Sequence, residues 1–296
     1  MKVVNSTLSL GEANKIFKKI SRTYFEMGDP TYLHYMCNPL KKIVFQNIVG
    51  TLFYRYSLST VKIVDNDQVI AYCFHRKIGE KIVICMDIYL TPKSRGKGLS
   101  KTVIELYRKE LYKQGFDFIL GAAFNKNIPS QKMLQKYANA NFFYVNAFKF
   151  NRNNLSSSIS LKFKKINMNQ KELYFSIISQ NLQKDFENIS IERSTIHDVI
   201  RFIWGPFVFG IFLFDQLIGN ITYEILVDTI YIKLALEDKY WNIAPEIVEE
   251  FCNYCSLKQE VVVVQYPNNV IIDRNDIEET LPVLLFNIFT TLGECQ

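Results

Sequence analysis

The sequence predicts an α/β (α+β) chain of two units, each a mixed sheet flanked by helices. Three observations lead there. A strand runs into a basic, glycine-bearing loop over Asp87-Ile88-Tyr89-Leu90-Thr91-Pro92-Lys93-Ser94-Arg95-Gly96-Lys97-Gly98-Leu99-Ser100, and a helix and a further strand follow it. The same order of hairpin, strand, helix and strand returns after residue 206. Charge divides as well: residues 1–152 hold 24 Lys and Arg against 10 Asp and Glu, and the remainder 11 against 19. A length of 296 residues suits two domains of ordinary size.

Taken in order, Val3-Val4 reads as a short first strand. Ser9 caps a helix over 10–20, with Ala13, Ile16, Phe17 and Ile20 at helical spacing. Gly28-Asp29-Pro30 breaks it, 31–37 is a second helical stretch, Asn38-Pro39 a second break, and 40–49 resumes as helix. Tyr24, Phe25, Tyr32, His34 and Tyr35 form an aromatic cluster here, read mainly as core. Residues 51–56 and 60–64 have strand-like content, and the turn Asp65-Asn66-Asp67-Gln68 returns the chain into a strand over 69–74. Gly79-Glu80 turns again into a strand over 81–90. After a helix over 99–114, Gly115 is a stop signal, and 116–124 is a strand able to pair parallel to 82–90 across the helix.

Pro129 suits the first turn of a helix over 130–137, and 142–150 reads as the last strand of the first unit. The polar run 151–158 marks a boundary, giving expected domains 1–152 and 159–296. Beyond it come a strand at 159–166, helices at 171–182 and 195–203 (Ser194 as cap), and a hairpin of 207–214 and 217–224 about Asp215-Gln216. The strand 229–236, helix 245–255 and strand 261–266 then repeat the first unit, and a helix over 277–292 closes the chain.

The loop has a physical purpose. Glycines let successive backbone N–H groups turn toward one point, the open start of a helix adds positive potential, and Arg95 and Lys97 add formal charge. That arrangement holds an anion such as a cofactor phosphate. The Gly-x-x-x-x-Gly-Lys-Ser/Thr run and the Gly-x-Gly-x-x-Gly fingerprint of other nucleotide loops are both absent from the sequence.

Arg95-Gly96-Lys97-Gly98-Leu99-Ser100, preceded by Leu90-Thr91-Pro92, resembles the coenzyme A pyrophosphate loop of the GCN5-related N-acetyltransferases (GNATs), with Ser100 where Gly or Ala is usual. Asn127-Ile128-Pro129-Ser130 resembles the start of the next GNAT helix. The resemblance implies a GNAT fold and acetyl-CoA as cofactor. It implies that Ile88, Tyr89 and Leu90 supply a strand edge for the pantetheine, with the Leu90 N–H facing the thioester oxygen. The amides of Arg95, Gly96, Lys97, Gly98, Leu99 and Ser100 would take the pyrophosphate, and Asn127 and Ser130 the pantetheine end. Asp87 is the candidate base, with a strand residue pointing away from the site as its competing placement. The family often has a tyrosine seven residues after the Asn as general acid. Leu134 stands there, which leaves Tyr137 as the candidate acid.

In the repeat, Trp241-Asn242-Ile243-Ala244-Pro245-Glu246 occupies the loop's place. Without arginine or glycine it cannot build the same cradle, so the second unit reads as a degenerate GNAT-like half or an unrelated α+β domain. The function expected is acetyl transfer from acetyl-CoA to a primary amine of a small molecule or peptide. Two alternatives compete: a catalytically inactive acyl-CoA-binding or regulatory protein, and a tRNA-dependent aminoacyltransferase suggested by the basic half. No metal is expected, since Cys252-x-x-Cys255 has no second pair at zinc spacing. Nucleic acid and membrane are not expected partners, oligomeric state stays open, and six scattered cysteines without an apolar leader suit a cytoplasmic setting.

Overall fold

The computed structural model describes residues 1–124, 127–137, 141–144, 146–150, 159–185, 192–226, 229–266, 277–280 and 284–289. In chain order the first stretch holds β1 (Lys2–Asn5), α1 (Leu10–Met27), α2 (Pro30–Met36), α3 (Pro39–Val44), α4 (Gly50–Leu52), β2 (Ser59–Asp65), β3 (Gln68–Lys77), β4 (Ile82–Leu90), α5 (Ser100–Lys113), β5 (Phe118–Phe124), α6 (Ile128–Tyr137) and β6 (Asn141–Tyr144). Then follow β7 (Asn146–Phe150), β8 (Leu161–Asn167), α7 (Lys171–Asp185), α8 (Arg193–Trp204), β9 (Phe207–Leu213), β10 (Gln216–Leu226), β11 (Thr229–Leu236), α9 (Ala244–Tyr254), β12 (Glu260–Tyr266), β13 (Ile277–Thr280) and β14 (Leu284–Phe289).

The chain forms two compact units, one of residues 1–142 with 284–296 and one of 143–283. The first sheet has the order β1-β2-β3-β4-β5-β14-β6 and the second β13-β7-β12-β11-β10-β9-β8. Each is mixed: β4 runs parallel to β5, and β11 to β12, while their hairpins are antiparallel. Both hairpins turn through two residues in the left-handed region, Asn66-Asp67 (φ 45 and 56) and Phe214-Asp215 (φ 48 and 63). Such a turn matches the twist of the flanking strands. The expected repeat is therefore present in backbone detail.

Two expectations fail at the units' margins. The strand expected over 142–150 is two strands in different sheets, β6 in the first and β7 in the second. The helix expected over 277–292 is instead β13 and β14, and β14 lies antiparallel to β5 from Leu284↔Phe124 to Phe289↔Ile119. An open edge on β5 is satisfied this way by the far end of the chain. The polar run 151–158, the expected boundary, lies outside the described residues.

Both faces of the first sheet are covered. Val103, Tyr107 and Leu111 of α5 pack on Val61, Ile63, Cys73 and Val83. Ala13, Ile16, Phe17 and Ile20 of α1 pack with Tyr54 on Phe74 and Tyr89 on the other face. Helix α1 starts on a capping box, the Glu12 N–H donating to Ser9 Oγ at 3.2 Å and the Ser9 N–H to Glu12 Oε2 at 3.0 Å. In the second unit α9 sends Ile247, Val248 and Phe251 against Ile221, Ile230 and Ile232.

Residues 51–56, expected as strand, are helical. Helix α3 continues through widened π turns at Phe45–Val49 and Phe53–Ser57 on either side of α4. Gln46 O, displaced from the regular ladder, accepts from Asn14 Nδ2 at 3.3 Å and Thr51 Oγ1 at 3.1 Å. Gly50 then lets this segment lie on Phe17, because a Cβ built there would overlap the Phe17 ring. Gly50→Ala is expected to cost about 1–3 kcal/mol through overpacking, read as a lower urea midpoint at unchanged slope.

Candidate functional site

Strand β4 carries the site because it leaves its parallel neighbour early. Pairing with β5 runs from Ile82↔Phe118 to Cys85↔Gly121 and stops. Past that point β5 continues against β14, and β4 continues only against β3. A gap opens between the strands.

The backbone direction across the gap follows from the antiparallel ladder. The Thr91 N–H donates to Ile70 O at 2.9 Å, so Thr91 is bonded toward β3. Hydrogen-bonded pairs alternate, which turns Tyr89 and Asp87 toward β3 and leaves Leu90 and Ile88 directing N–H and C=O into the gap. A bulge between the pairs Phe74↔Asp87 and His75↔Cys85 interrupts the alternation. Cys85 and Ile88 therefore share the α5 face, while Met86 and Tyr89 share the α1 face.

Asp87 is turned to the α1 face too. Tyr24 Oη of α1 donates to Asp87 Oδ1 at 3.2 Å, and Tyr54 Oη donates to Asp87 Oδ2. Tyr24 stacks on Tyr32 with ring centroids 5.0 Å apart. Burial lifts the Asp87 carboxyl to about 7, against the smaller lowering from the two tyrosine hydroxyls. The Asp87 charge, with burial next, raises Tyr24; burial first, then that charge, raises Tyr32 and Tyr54. All three hydroxyls stay protonated, and Tyr24 and Tyr54 donate to Asp87.

The loop after β4 is ordered by local bonds. Pro92–Ser94 make one tight turn, with Thr91 Oγ1 and Ser94 Oγ 2.8 Å apart. Arg95 Nε donates to Leu90 O at 3.1 Å, and its guanidinium stands 5.4 Å over the Tyr89 ring. Gly96 and Gly98 have φ of 74 and 69, and a Cβ at either would meet nothing within 4 Å. Conformation, not space, demands glycine at both. No side chain caps α5 at Leu99, so its first N–H groups face outward from an exposed loop.

Asn127 caps α6 through Oδ1, which accepts from the Ser130 N–H at 3.3 Å. Its amide Nδ2 is the donor it can offer a ligand. Tyr137 is the last residue of α6, and its side chain lies outside the described residues.

A cavity of about 460 Å³ joins these parts. Met86, Asp87, Ile88, Tyr89, Leu90, Arg95, Asn127 and Ser130 line it, together with Tyr24, Cys85, Tyr107 and Arg108. The structure thus brings together Asp87, the strand edge, Arg95, Asn127 and Ser130. Gly96, Lys97, Gly98, Leu99 and Ser100 form the adjoining loop. Sequence reasoning missed Tyr54, taken as strand. Tyr24 carried a signal: Phe17, Ile20 and Tyr24 fall at i, i+3 and i+7, so its ring points to the sheet, where its hydroxyl needs a partner.

Residues 17–139 match the family model of the acetyltransferase (GNAT) family. The chain has a GNAT-family acetyltransferase fold. Over 100% of its length it is similar to 99% of a tandem GNAT protein from the clavulanic acid biosynthesis pathway, at 9% identity and a TM-score of 0.53. A probable N-acyltransferase of unknown function from Enterococcus faecalis V583 is similar at 10% identity and a TM-score of 0.53, and 97% of this chain covers 72% of it. A GCN5-related N-acetyltransferase from Anabaena variabilis ATCC 29413 gives 12% identity, a TM-score of 0.51 and the same coverages, 97% and 72%. No curated protein matches the chain.

The two units are GNAT-like mixed sheets flanked by helices, but only the first has the gap. In the second, β11 and β12 stay paired from Thr229↔Glu260 to Ala235↔Tyr266. A tight turn, Asp238–Ile243, with buried Trp241 replaces the glycine loop, and Pro245 stands in the first turn of α9. Among the described residues, no helix is long and apolar enough to cross a membrane.

Asp87 also makes stability depend on pH. Folded, it keeps its proton to about pH 7, whereas the ordinary carboxyl value is 3.8. Between those values the folded state binds the extra proton, so stability falls as pH rises and levels off above neutrality. Asp87→Asn is expected to melt higher than the native protein at mildly alkaline pH and to lose this advantage in acid, as read by calorimetric melting across pH.

Proposed function

We propose that the protein transfers an acetyl group from acetyl-CoA to a primary amine of a small molecule or peptide, using the first unit alone. The observation that carries this reading is the parting of β4 from β5 beside an outward-facing glycine loop, with a carboxylate of neutral pKa in the same cavity.

The residues fit the carrier. Amides of Gly96 through Ser100, with the open start of α5, form a nest for its diphosphate, while the Arg95 N–H donates to Pro92 O. The gap-facing edge of Ile88 and Leu90 offers strand-like hydrogen bonds to the pantetheine arm, the Tyr89 side chain lines the same cavity although its backbone is turned to β3, and Asn127 and Ser130 hold the arm's end. Acetyl-CoA, when bound, supplies an acetyl thioester that a neutral amine can attack.

The chain's own groups would do the rest. Leu90 N–H, aimed into the gap, stabilises charge growing on a carbonyl oxygen. Asp87 takes the amine's proton, directly or through water, and a base poised near neutrality suits that task. Tyr24 and Tyr54 fix its carboxylate, each donating to one of its oxygens. Tyr137 is kept as the candidate acid for the departing thiolate.

Calorimetry with acetyl-CoA tests the first part. Native protein is expected to bind, and Gly98→Glu to bind at least about a hundredfold more weakly, because it sets a carboxylate against the diphosphate and strains a left-handed residue. Absence of binding by the native chain would end the proposal. With an acceptor from an amine panel, kcat/KM should rise with pH through an apparent pKa near 7. Asp87→Asn should lose that limb and about a hundredfold in kcat, with acetyl-CoA affinity kept. Binding without turnover of any amine would favour the carrier-binding regulatory reading.

A further inference from the structure

The second unit has a cavity of its own, of about 480 Å³, where α8 ends against β9, β10 and β11. This is a small-molecule size. Its walls include Trp204, Phe207, Phe209 and Tyr223. Its charged groups are Lys233, Lys165 and Glu224.

Lys233 holds on β11 the place that Asp87 holds on β4. Each stands three residues before the leucine that closes its strand, Leu236 and Leu90. Each faces the hairpin strand at an equivalent step, Lys233 against Thr222 and Asp87 against Phe74. The repeat has kept a pocket at this position and placed a basic residue where the first unit has an acidic one.

The lysine's surroundings do not neutralise it. Nζ donates to Ile203 O at 2.7 Å, which uses one of three donors and supplies no negative charge. Burial lowers its pKa, and Glu224, an exposed residue, opposes that. Lys165 Nζ stands 4.6 Å over the Phe207 ring at the same cavity. Two of the three Lys233 Nζ donors stay open to the cavity, beside the flat Trp204 ring. Because β11 and β12 stay paired, no carrier gap opens beside this pocket.

We propose that this cavity binds a small carboxylate-bearing molecule with a flat apolar body, its carboxylate on Lys233 and its body against Trp204. The site binds and does not transfer. Its occupant, a carboxylate, differs in kind from the amine acceptor proposed for the first unit.

The test uses the full chain, with 3-phenylpropanoate as probe and neutral 3-phenylpropanamide as its uncharged twin. Calorimetry should show saturable binding of the acid at millimolar concentration or below, unchanged when acetyl-CoA is also present. The amide should bind about tenfold more weakly or worse. Lys233→Met should weaken the acid by about the same factor and leave the amide unchanged. A second readout is independent of that variant: of the two tryptophans, Trp204 lines the pocket, so its emission in Trp241→Phe protein should shift on adding the acid. Failure of the acid to saturate the native chain, equal affinity for acid and amide, or undiminished acid binding by folded Lys233→Met would each overturn the proposal.

Discussion

Two parallel strands that stop bonding to each other must place their freed backbone groups somewhere. In the first unit β4 and β5 part after Cys85↔Gly121. Unpaired N–H and C=O groups inside a protein are costly, so such a parting persists where solvent or a ligand can satisfy them. On β5 the opposite edge is bonded to β14 from Phe124 to Ile119, so the parting frees only the edge that faced β4. On β4 the groups of Ile88 and Leu90 still face the gap. The glycine loop, the placement of Asp87 and the cavity all follow from that strand's freedom to bulge and diverge.

The second unit shows what the same architecture does without the parting. Strands β11 and β12 stay bonded along their length, and the turn after β11 is a tight one filled by Trp241. Nothing there offers a diphosphate a row of amides. The difference between the halves is thus one of backbone pairing, reinforced by Arg95, Gly96 and Gly98 in one and Pro245 and Glu246 in the other. The opposed charges at Asp87 and Lys233 carry that divergence into the pockets.

Much of this was legible because it is local. The loop announces itself by glycines at fixed spacing, and both hairpins by polar turn residues between β-branched runs. Helix α1 was readable from Ser9 and a regular apolar face, though it runs on to Gly28 (φ 81). What escaped depends on tertiary partners. Residues 51–56 have the composition of a strand, yet Asn14, Thr51 and Gly50 hold them in widened helical turns against α1. Tyr54 reaches Asp87 only through that fold, so no spacing could reveal the pair. Residues 284–289 form a short apolar run equally suited to helix or strand, and the open side of β5 decides for strand. The pKa of Asp87 is likewise a product of enclosure, invisible in a strand whose alternation the bulge at Met86 breaks.

The most direct measurement of the central claim is amide hydrogen exchange on the native chain with and without acetyl-CoA. Slower exchange should appear across residues 86–103, in the freed half of β4, the glycine loop and the first turn of α5, with residues 229–254 unchanged. Protection confined to 229–254, or spread over neither stretch, would contradict the account.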